Sequence, residues 1–484
     1  MNLDLSAINI NPDEINTLDD ARDTIRKLMN LVEELIKQNT QLFNKIQEQD
    51  KEIARLKQQP QRPTFNASSD HSVTKLLNKK ADGTGKKVWE KSHKKETLQV
   101  DREMQTEEVA QCTCGSQEFK PLRSREKLVQ GIIIARDNVL YQGRDKKCLT
   151  CGKVYHAAFP SDTHGLQFSS LTRSWISYFN KYCRMTEPLL HNMLTDIGLR
   201  ISVGEISHIL LINSDKLLSA ITHLRTFGIK GSKQLGTDAT EHKHKSKTTG
   251  QILHHHLQYV GNTLLSLFSI CKKYNSTNVG KALTKRGLKI PITSDDHSAN
   301  GSKLLALVKQ LCWIHEIRHY LKLSPKAKVH KDEMVAVIDE LLAWYKKAKH
   351  YNHDPTTVTD EQKQYYQALK NELEVEFDRI MANRVGYDEL NERLKLTKKK
   401  RCRLLTFLDY PFMEIHNNRA ERDLREAVMI RKISGGTKSD AGDRSLERHL
   451  SVIQTAKKQG LNIFETLHGL LTNQISPAVL TAKR

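Results

Sequence analysis

The earliest hydrophobic pattern along the chain is a heptad repeat that runs from about Leu18 to Leu56. With Ile25 taken as position a, β-branched residues dominate a and leucine dominates d, which favours a parallel two-stranded coiled coil. We therefore predict a coiled-coil dimerisation helix in residues 1–59, and the alternative is a long helix packed on its own protein. The a series is Leu18, Ile25, Val32, Asn39, Ile46 and Ile53, and the d series is Ala21, Leu28, Leu35, Leu42, Gln49 and Leu56.

The periodicity stops after this helix. Pro60 and Pro63 end it, because proline lacks the backbone donor that a helix interior needs. The chain to about Thr97 is polar and rich in lysine and serine. Residues 60–105 are predicted to form a basic flexible linker, which either gains order on DNA or is a passive spacer.

Helical periodicity returns between residues 161 and 230. Ser202 to Glu205 has the pattern of a capping box at a helix start. Short helices of this kind suit DNA binding, although a purely structural bundle has the same pattern. The apolar positions on one helical face are Leu171, Trp175, Tyr178 and Phe179, and those on another are Leu189, Leu190, Met193, Leu194 and Ile197.

Alternating and apolar runs after residue 231 predict strands. Three strands, a helix and a fourth strand are the opening of a ribonuclease-H-like α/β core, which we assign to residues 231–475. Charged amphipathic helices at about 322–405 interrupt it as a helical insertion. The predicted strands are Lys233–Thr240, Leu253–Val260, Thr263–Cys271 and Lys289–Ser294, with a helix at about Thr277–Arg286.

Length and charge narrow the function classes. At 484 residues the chain needs two to four domains, so a multidomain α/β protein is expected. Its 77 Lys and Arg against 56 Asp and Glu give a net charge of +21, which points to nucleic acid as partner. With no long apolar run and no signal-like N-terminus, we expect a soluble cytoplasmic protein, associated with the nucleoid and not with a membrane.

Four of the eight cysteines form two tight pairs, Cys112 with Cys114 and Cys148 with Cys151. Apolar runs at Gly131–Ala135 and Val139–Tyr141 lie between the pairs and resemble short strands. Four thiolates brought together by a strand pair would make a structural zinc site, so residues 106–160 are predicted to be a zinc-ribbon-like module. His156 is an alternative ligand, and unrelated free cysteines are the other interpretation.

Four acidic residues stand where they could share metal ions. Asp238 ends the first predicted strand, Asp295 and Asp296 end the fourth, and Glu421 opens a late helix. The ends of those two strands are neighbours in a sheet of this order, and carboxylate oxygens suit Mg²⁺ or Mn²⁺. Each acid alone is more commonly a strand-end, cap or ion-pair residue; the constellation favours a two-metal site.

Three C-terminal segments carry a family resemblance: Asn417–Arg425, Arg431–Gly442 and Thr455–Phe464. The chain resembles the DDE transposases of insertion-sequence family 66, the TnpC type. Weaker matches to the family are Cys312–His315 with Arg318, and Gly198–Ser202. The coiled coil and the cysteine pairs follow the family's N-terminal layout. The resemblance covers nearly the whole chain but is dense only in its last quarter.

The resemblance implies that Asp238, Asp295 and Glu421 form the DDE triad. Ala239 stands where the family usually has Glu, and Ser294–Asn300 is only loosely similar, so Asp296 competes with Asp295. We place Cys312 and His315 on the next strand in preference to a half zinc site. His254–His256 is interpreted as DNA-facing or incidental, and Lys398–Arg401 as a phosphate-contacting run or a solvated helix end. The expected DNA contacts are Arg422, Arg425, Arg431, Lys432, Lys438, His315 and Arg318.

The implied function is Mg²⁺-dependent cleavage and strand transfer at the ends of an insertion sequence. A homodimer or higher oligomer would pair two ends, with or without accessory proteins from the element. Two alternatives stay open: an inactive transposase-derived DNA-binding repressor, and a nuclease of the same fold without strand transfer.

Overall fold

The computed structural model describes residues 15, 17–56, 100–104, 110–111, 113–119, 129, 132, 134–158, 167–246, 249–287, 289–297 and 308–482. The expected mixed α/β class is confirmed. The linker predicted at 60–105 lies almost entirely outside the described residues. In the described part, no helix has both the length and the apolar composition needed to cross a bilayer. The strands are β1 Lys146–Lys147, β2 Val154–Tyr155, β3 Leu235–Lys245, β4 Ile252–Gly261, β5 Ser266–Cys271, β6 Ile292–Ser294 and β7 Lys309–Leu311.

The helices fall into three groups along the chain. The long N-terminal helix stands first, a helical group precedes the main sheet, and the rest follow the sheet except α6, which lies between β5 and β6. They are α1 Leu18–Leu56, α2 Ser170–Ser177, α3 Glu187–Asp196, α4 Val203–Lys216, α5 Leu218–His223, α6 Ser276–Gly287, α7 Trp313–Leu321, α8 Lys328–His350, α9 Asp360–Ala382, α10 Asp388–Lys399, α11 Arg401–Leu404, α12 Thr406–Asp409, α13 Asn418–Ser434, α14 Asp440–Gln459 and α15 Ile463–Leu471.

Helix α1 contacts its own chain through its polar face. The Asn30 side chain donates to the backbone oxygen of Gly386 (2.8 Å), and the Glu33 carboxylate accepts backbone N–H groups of Lys326 and Ala327 (2.6 and 2.7 Å). These are b and f positions of the heptad, opposite the a/d seam. The large apolar seam residues from Leu18 to Ile53 stay 40–69% exposed. Within the described chain, then, the seam has no covering partner.

The strands predicted between the cysteine pairs are wrong where they can be checked. None of residues 134–145 forms a strand, and Val139 and Leu140 are 58% and 81% exposed. The antiparallel pair is instead β1 with β2, on either side of the second cysteine pair. A tight turn brings these strands together. The Cys148 N–H donates to the Lys153 oxygen, and the Gly152 N–H donates to the Cys148 oxygen, each at 2.9 Å.

Helices α2 to α4 form a small core before the sheet, built on Ile176, Leu190, Ile206 and Ile209. Ser202 caps α4, since its hydroxyl accepts the Glu205 backbone N–H at 3.1 Å, which is one half of the predicted capping box. This region is therefore a packed bundle that adjoins the sheet.

The main sheet has the strand order β5-β4-β3-β6-β7. Strands β3, β4 and β5 are antiparallel neighbours, while β6 and β7 run parallel to β3. β3 extends to Lys245, five residues beyond the predicted end at Thr240, because β4 pairs with it as far as Ile252 opposite Lys245. The extension of β3 places His242 and His244 beneath the C-terminal helices.

Each face of the sheet is covered. On one face, Leu257, Tyr259 and Phe268 pack beneath α13 and α14. On the other face, Leu235, Val260 and Ile292 pack against α5, α6, α14 and α15. Helices α7 to α12 form a separate core in which Trp313 lies against Trp344, with ring centroids 4.4 Å apart. The helical insertion begins and ends at the same place beside the sheet, because the backbone N–H of Trp313 donates to the backbone oxygen of Ile415 (3.0 Å).

Candidate active site

Two of the predicted acids lie side by side on neighbouring parallel strands. Thr237 of β3 is in register with Ser294 of β6, so the following residues, Asp238 and Asp295, are adjacent across strands about 4.8 Å apart. Asp238 is not at the end of its strand, as predicted, but at the point where β6 stops beside it. Beyond this point β3 stays paired with β4 but has no strand on its β6 side.

The third acid is brought over this edge by the start of α13. Asn417 occupies the N-cap position of α13, but its side chain makes no capping hydrogen bond to the helix. Its amide donates to the Thr237 backbone oxygen (2.9 Å), and its backbone N–H donates to the Cys312 sulfur (3.1 Å). Gly236 permits this approach, because a Cβ there would lie 3.0 Å from the Asn417 oxygen. Glu421 follows one turn later.

The three carboxylates influence one another electrostatically. Burial, and then the Asp295 and Glu421 carboxylates, raise the pKa of Asp238 to about 7, opposed by the Ala239 N–H (2.8 Å) and by Arg318. A cluster of mostly buried carboxylates whose charges repel is the environment that a divalent cation relieves. Carboxylate oxygens are the donors that a hard cation prefers, but the ligand atoms of Asp238, Asp295 and Glu421 do not all lie within 4.8 Å of one another in this structure.

Two residues of α7 contact Glu421. The Arg318 guanidinium lies 3.3 and 3.4 Å from its two oxygens, and His315 Nε2 lies 3.5 Å from Oε1. His315 was predicted on a strand, but β7 ends at Leu311 and the buried Cys312 begins a helix. The apolar run around Trp313 belongs to a helix because it packs into the helical core. Burial lowers the pKa of His315, which favours the neutral imidazole.

Asp296 faces a different group of residues. Its carboxylate forms an ion pair with Lys400, and Lys400 also lies 3.2 Å from the buried Glu316. Glu316 in turn accepts the Thr397 hydroxyl (2.6 Å). Lys400, predicted to contact phosphate or solvent, is thus engaged inside the chain. The structure brings Asp295, and not Asp296, to Asp238.

The basic residues of α13 differ in their surroundings. Arg422, Arg425 and Lys432 are exposed along one face of the helix, and Lys438 is exposed beyond its end. The Arg431 side chain instead hydrogen-bonds to the Glu241 backbone oxygen. Four of the seven expected DNA contacts therefore lie on an open surface, while Arg318 and His315 face the carboxylates.

A buried ion pair missed by the sequence interpretation holds α13 in place. Asp423 accepts hydrogen bonds from the Tyr259 hydroxyl (2.6 Å) and from Lys458 Nζ (2.5 Å). Burial lowers the pKa of Lys458 to about 8 despite the opposing Asp423 charge. Because this carboxylate joins a strand and two helices, it fixes the rotation of α13 and so the direction of Glu421.

The cysteines are only partly brought together. Cys112 lies outside the described residues, and Cys114 is exposed. Hydrogen bonds from the backbone of Cys151 and Thr150 and from the Cys151 side chain lower the pKa of Cys148 to about 7. In the described ranges, the groups of three close metal-ligating side chains contain no cysteine. A four-thiolate site stays a prediction.

The raised pKa of Asp238 predicts a pH effect on stability. The folded state binds its proton more tightly than the unfolded chain, so the unfolding free energy should fall as pH rises from about 4 to about 7, by at most about 4 kcal/mol. Asp238→Asn lacks this charge and should gain stability over the parent across that range in chelator. Thermal melts at pH 5 and pH 8 measure the difference; parallel pH profiles would contradict it.

Comparisons with known proteins agree with the resemblance. A family profile described as "Transposase IS66 family" matches residues 175–445, more than half of the chain. A protein of Sinorhizobium fredii described as "Uncharacterized protein y4jO" is 32% identical over 178 residues. That match covers 36% of this chain and 52% of the relative, so the chain spans about half the length of that protein.

Proposed function

The chain belongs to the IS66 family of transposases, and from this premise we propose that it cuts and joins DNA at the ends of its element. Asp238, Asp295 and Glu421 would bind Mg²⁺ or Mn²⁺ on a ribonuclease-H-like core. The observation that supports the proposal is that β3, the end of β6 and α13 bring these acids near enough for Asp295 and Glu421 to raise the pKa of Asp238.

The proposed reaction needs no covalent enzyme intermediate. Two divalent cations at this site would activate the attacking oxygen and stabilise the leaving one. Water first displaces the 3′-oxygen of a phosphodiester at the element end, which leaves a free 3′-hydroxyl. That hydroxyl then attacks a target phosphodiester, forming one P–O bond as another breaks, and its proton passes to solvent. The protein contributes position and charge, because Arg318 lies beside Glu421 where phosphate charge would develop.

The exposed face of α13 is the proposed phosphate-contacting surface. Arg422, Arg425 and Lys432 lie along it, and the overall charge of +21 attracts DNA at a distance. The helical region at 161–230 would add contacts to the element ends. We place the protein with DNA at the nucleoid, in the cytoplasm.

A nicking and joining assay on labelled element-end DNA tests the function. With Mg²⁺ the protein should release a 3′-hydroxyl end and join it to target DNA, and chelator should stop both steps. Binding without cutting would favour the repressor, and cutting without joining would favour the nuclease. The departure at Ala239 makes the first of these the chief rival.

The heptad seam of α1 is the proposed dimer interface. Its apolar residues are exposed while the opposite polar face contacts Gly386, Lys326 and Ala327, which leaves the seam available to a second copy. Two chains so paired could hold two element ends. Accessory proteins of the element remain compatible with this arrangement.

A charge placed in the seam should separate the chains. Leu35→Glu puts a carboxylate at a d position and should weaken dimerisation by about 100-fold or more, since an unpaired buried charge costs about 3 kcal/mol or more. Lys27→Glu places the same residue at an exposed c position and should leave the dimer intact. Light scattering after size exclusion gives the mass; a monomeric parent protein, or a dimeric Leu35→Glu protein, would refute the interface.

Structural zinc is proposed for the cysteine module, with Cys112, Cys114, Cys148 and Cys151 as ligands. The support is the β1–β2 hairpin around the second pair and the lowered pKa of Cys148, which favours the thiolate form.

A further inference from the structure

A second group of metal-ligating side chains lies well away from the carboxylates, on the same face of the sheet. His242 and His244 stand on the extension of β3, and His255 on β4 is directly opposite His242 in the register. Asp443 comes from the first turn of α14. All four are buried, with exposures of 2%, 7%, 5% and 7% respectively. Burying four ionisable groups together costs free energy unless they pair with one another or bind a metal ion.

The histidines converge on one carboxylate. Asp443 Oδ2 lies 3.0 Å from His244 Nδ1 and 3.5 Å from His255 Nδ1. The imidazole rings of His244 and His255 stack with centroids 4.6 Å apart. His255 Nδ1 is fully buried and has no hydrogen-bond partner among the residues that the structure describes. Buried nitrogens are nearly always hydrogen-bonded, so the lack of a hydrogen bond at His255 Nδ1 indicates that a ligand could bind there.

We propose that His244, His255 and Asp443 bind a transition-metal ion, with Zn²⁺ as the best fit. Their ligand atoms all lie within 4.8 Å of one another. Zinc bonds of about 2.0–2.1 Å in a tetrahedron place ligand atoms about 3.3 Å apart, close to the observed separations from Asp443. One ion at the centre would satisfy the two nitrogens and the oxygen together.

The chemistry of the donors selects the metal. Two imidazoles and one carboxylate suit zinc and its neighbours, whereas Mg²⁺ prefers oxygen ligands and retained water. The other Asp443 oxygen is held from outside the group: His242 Nε2 lies 3.4 Å from it, and the Thr437 hydroxyl donates to it. His242 Nε2 also lies 2.9 Å from the Thr437 hydroxyl, and such outer contacts orient a metal-binding carboxylate.

The site would brace the loop that follows α13. Thr437 bonds to β3 through its N–H to the Lys243 oxygen (3.0 Å) and through its oxygen to the Lys245 N–H (2.8 Å). Gly436 is required there, because its φ is +108° and a Cβ would lie 2.1 Å from the Lys243 oxygen. An ion that joins β3, β4 and α14 would therefore fix the far end of the helix that carries Glu421. This role is independent of the proposed chemistry.

The test measures bound metal in the full-length chain carrying Cys148→Ser and Cys151→Ser, so that thiolates do not contribute. After dialysis against metal-free buffer, we expect one equivalent of zinc per chain. His244→Ala and His255→Ala should each lose it. The matched control is His254→Ala, because His254 is the next residue on β4 but is exposed and pairs with Glu241.

Cobalt substitution gives a second readout that does not depend on the variants folding. The full-length chain with Cys148→Ser and Cys151→Ser is the parent protein here. With Co²⁺ it should show the visible absorption of a tetrahedral site with nitrogen and oxygen ligands, and added zinc should remove that absorption. A parent that binds neither ion, or a His254→Ala protein that loses metal as fully as His255→Ala, would overturn the proposal. Equal metal content in all variants would overturn it as well.

Discussion

Replacing Glu421 by Gln should reduce strand cleavage and joining by about a thousandfold or more, equivalent to about 4 kcal/mol of transition-state stabilisation. The substitution keeps the shape of the side chain but removes the charge that would bind a divalent cation beside Asp238. DNA binding should change little, because the exposed arginines of α13 are untouched. The measurements are product formation in Mg²⁺ and filter binding of the same DNA.

Glu426→Gln is the matched control for this prediction. Glu426 lies on the same helix and pairs with Arg184, but it is outside the carboxylate group. Its substitution should leave joining within about fivefold of the parent. If Glu421 serves only as an ion-pair partner of Arg318, the Gln variant would melt at a lower temperature and still join DNA, and the catalytic assignment would then be wrong.

Asp295→Asn and Asp296→Asn should differ sharply. Asp295 is beside Asp238, so its loss should lower joining by about a thousandfold, as for any carboxylate that binds a catalytic ion. Asp296 pairs with Lys400, so its substitution should affect stability and leave joining within about tenfold. Single-turnover rates and thermal melts of both variants separate the two effects.

The opposite result would identify a rearrangement. If Asp296→Asn is inactive and Asp295→Asn is active, the residues after β6 must reorganise when DNA binds, and Asp296 must release Lys400. Loss of activity in both variants, with unchanged melting temperatures, would mean that both aspartates act in the reaction.

Elements with a strong hydrophobic period were predictable from the sequence. The heptads predicted a helix over residues 18–56, which is the extent of α1, and β4 begins and ends within one residue of its prediction. That Asp238 and Asp295 are neighbours followed from the order of the parallel strands, although β3 continues past Asp238 to Lys245 and does not end there as predicted. Glu421 followed from the family pattern and not from periodicity.

The parts that could not be predicted depend on contacts between distant residues. The extension of β3 alternates Glu, His and Lys, a polar pattern that shows no buried face until β4, Thr437 and Asp443 cover it. In the triplet His254–His256, alternation along the strand turns His255 away from its two neighbours, so the triplet by itself predicts no metal site. The partners of His255 come from β3 and α14 instead. Asp423 and Lys458 likewise look like solvated charges until Tyr259 joins them.

The dependence of α13 on Lys458 has a consequence for synthesis of the protein. Asp423 loses its cationic partner in any chain that ends before Lys458, so α13 is fixed in place only after α14 has been made. A chain truncated before Lys458 would keep the heptad helix and the first helical region but would lack the buried contact that sets the direction of Glu421.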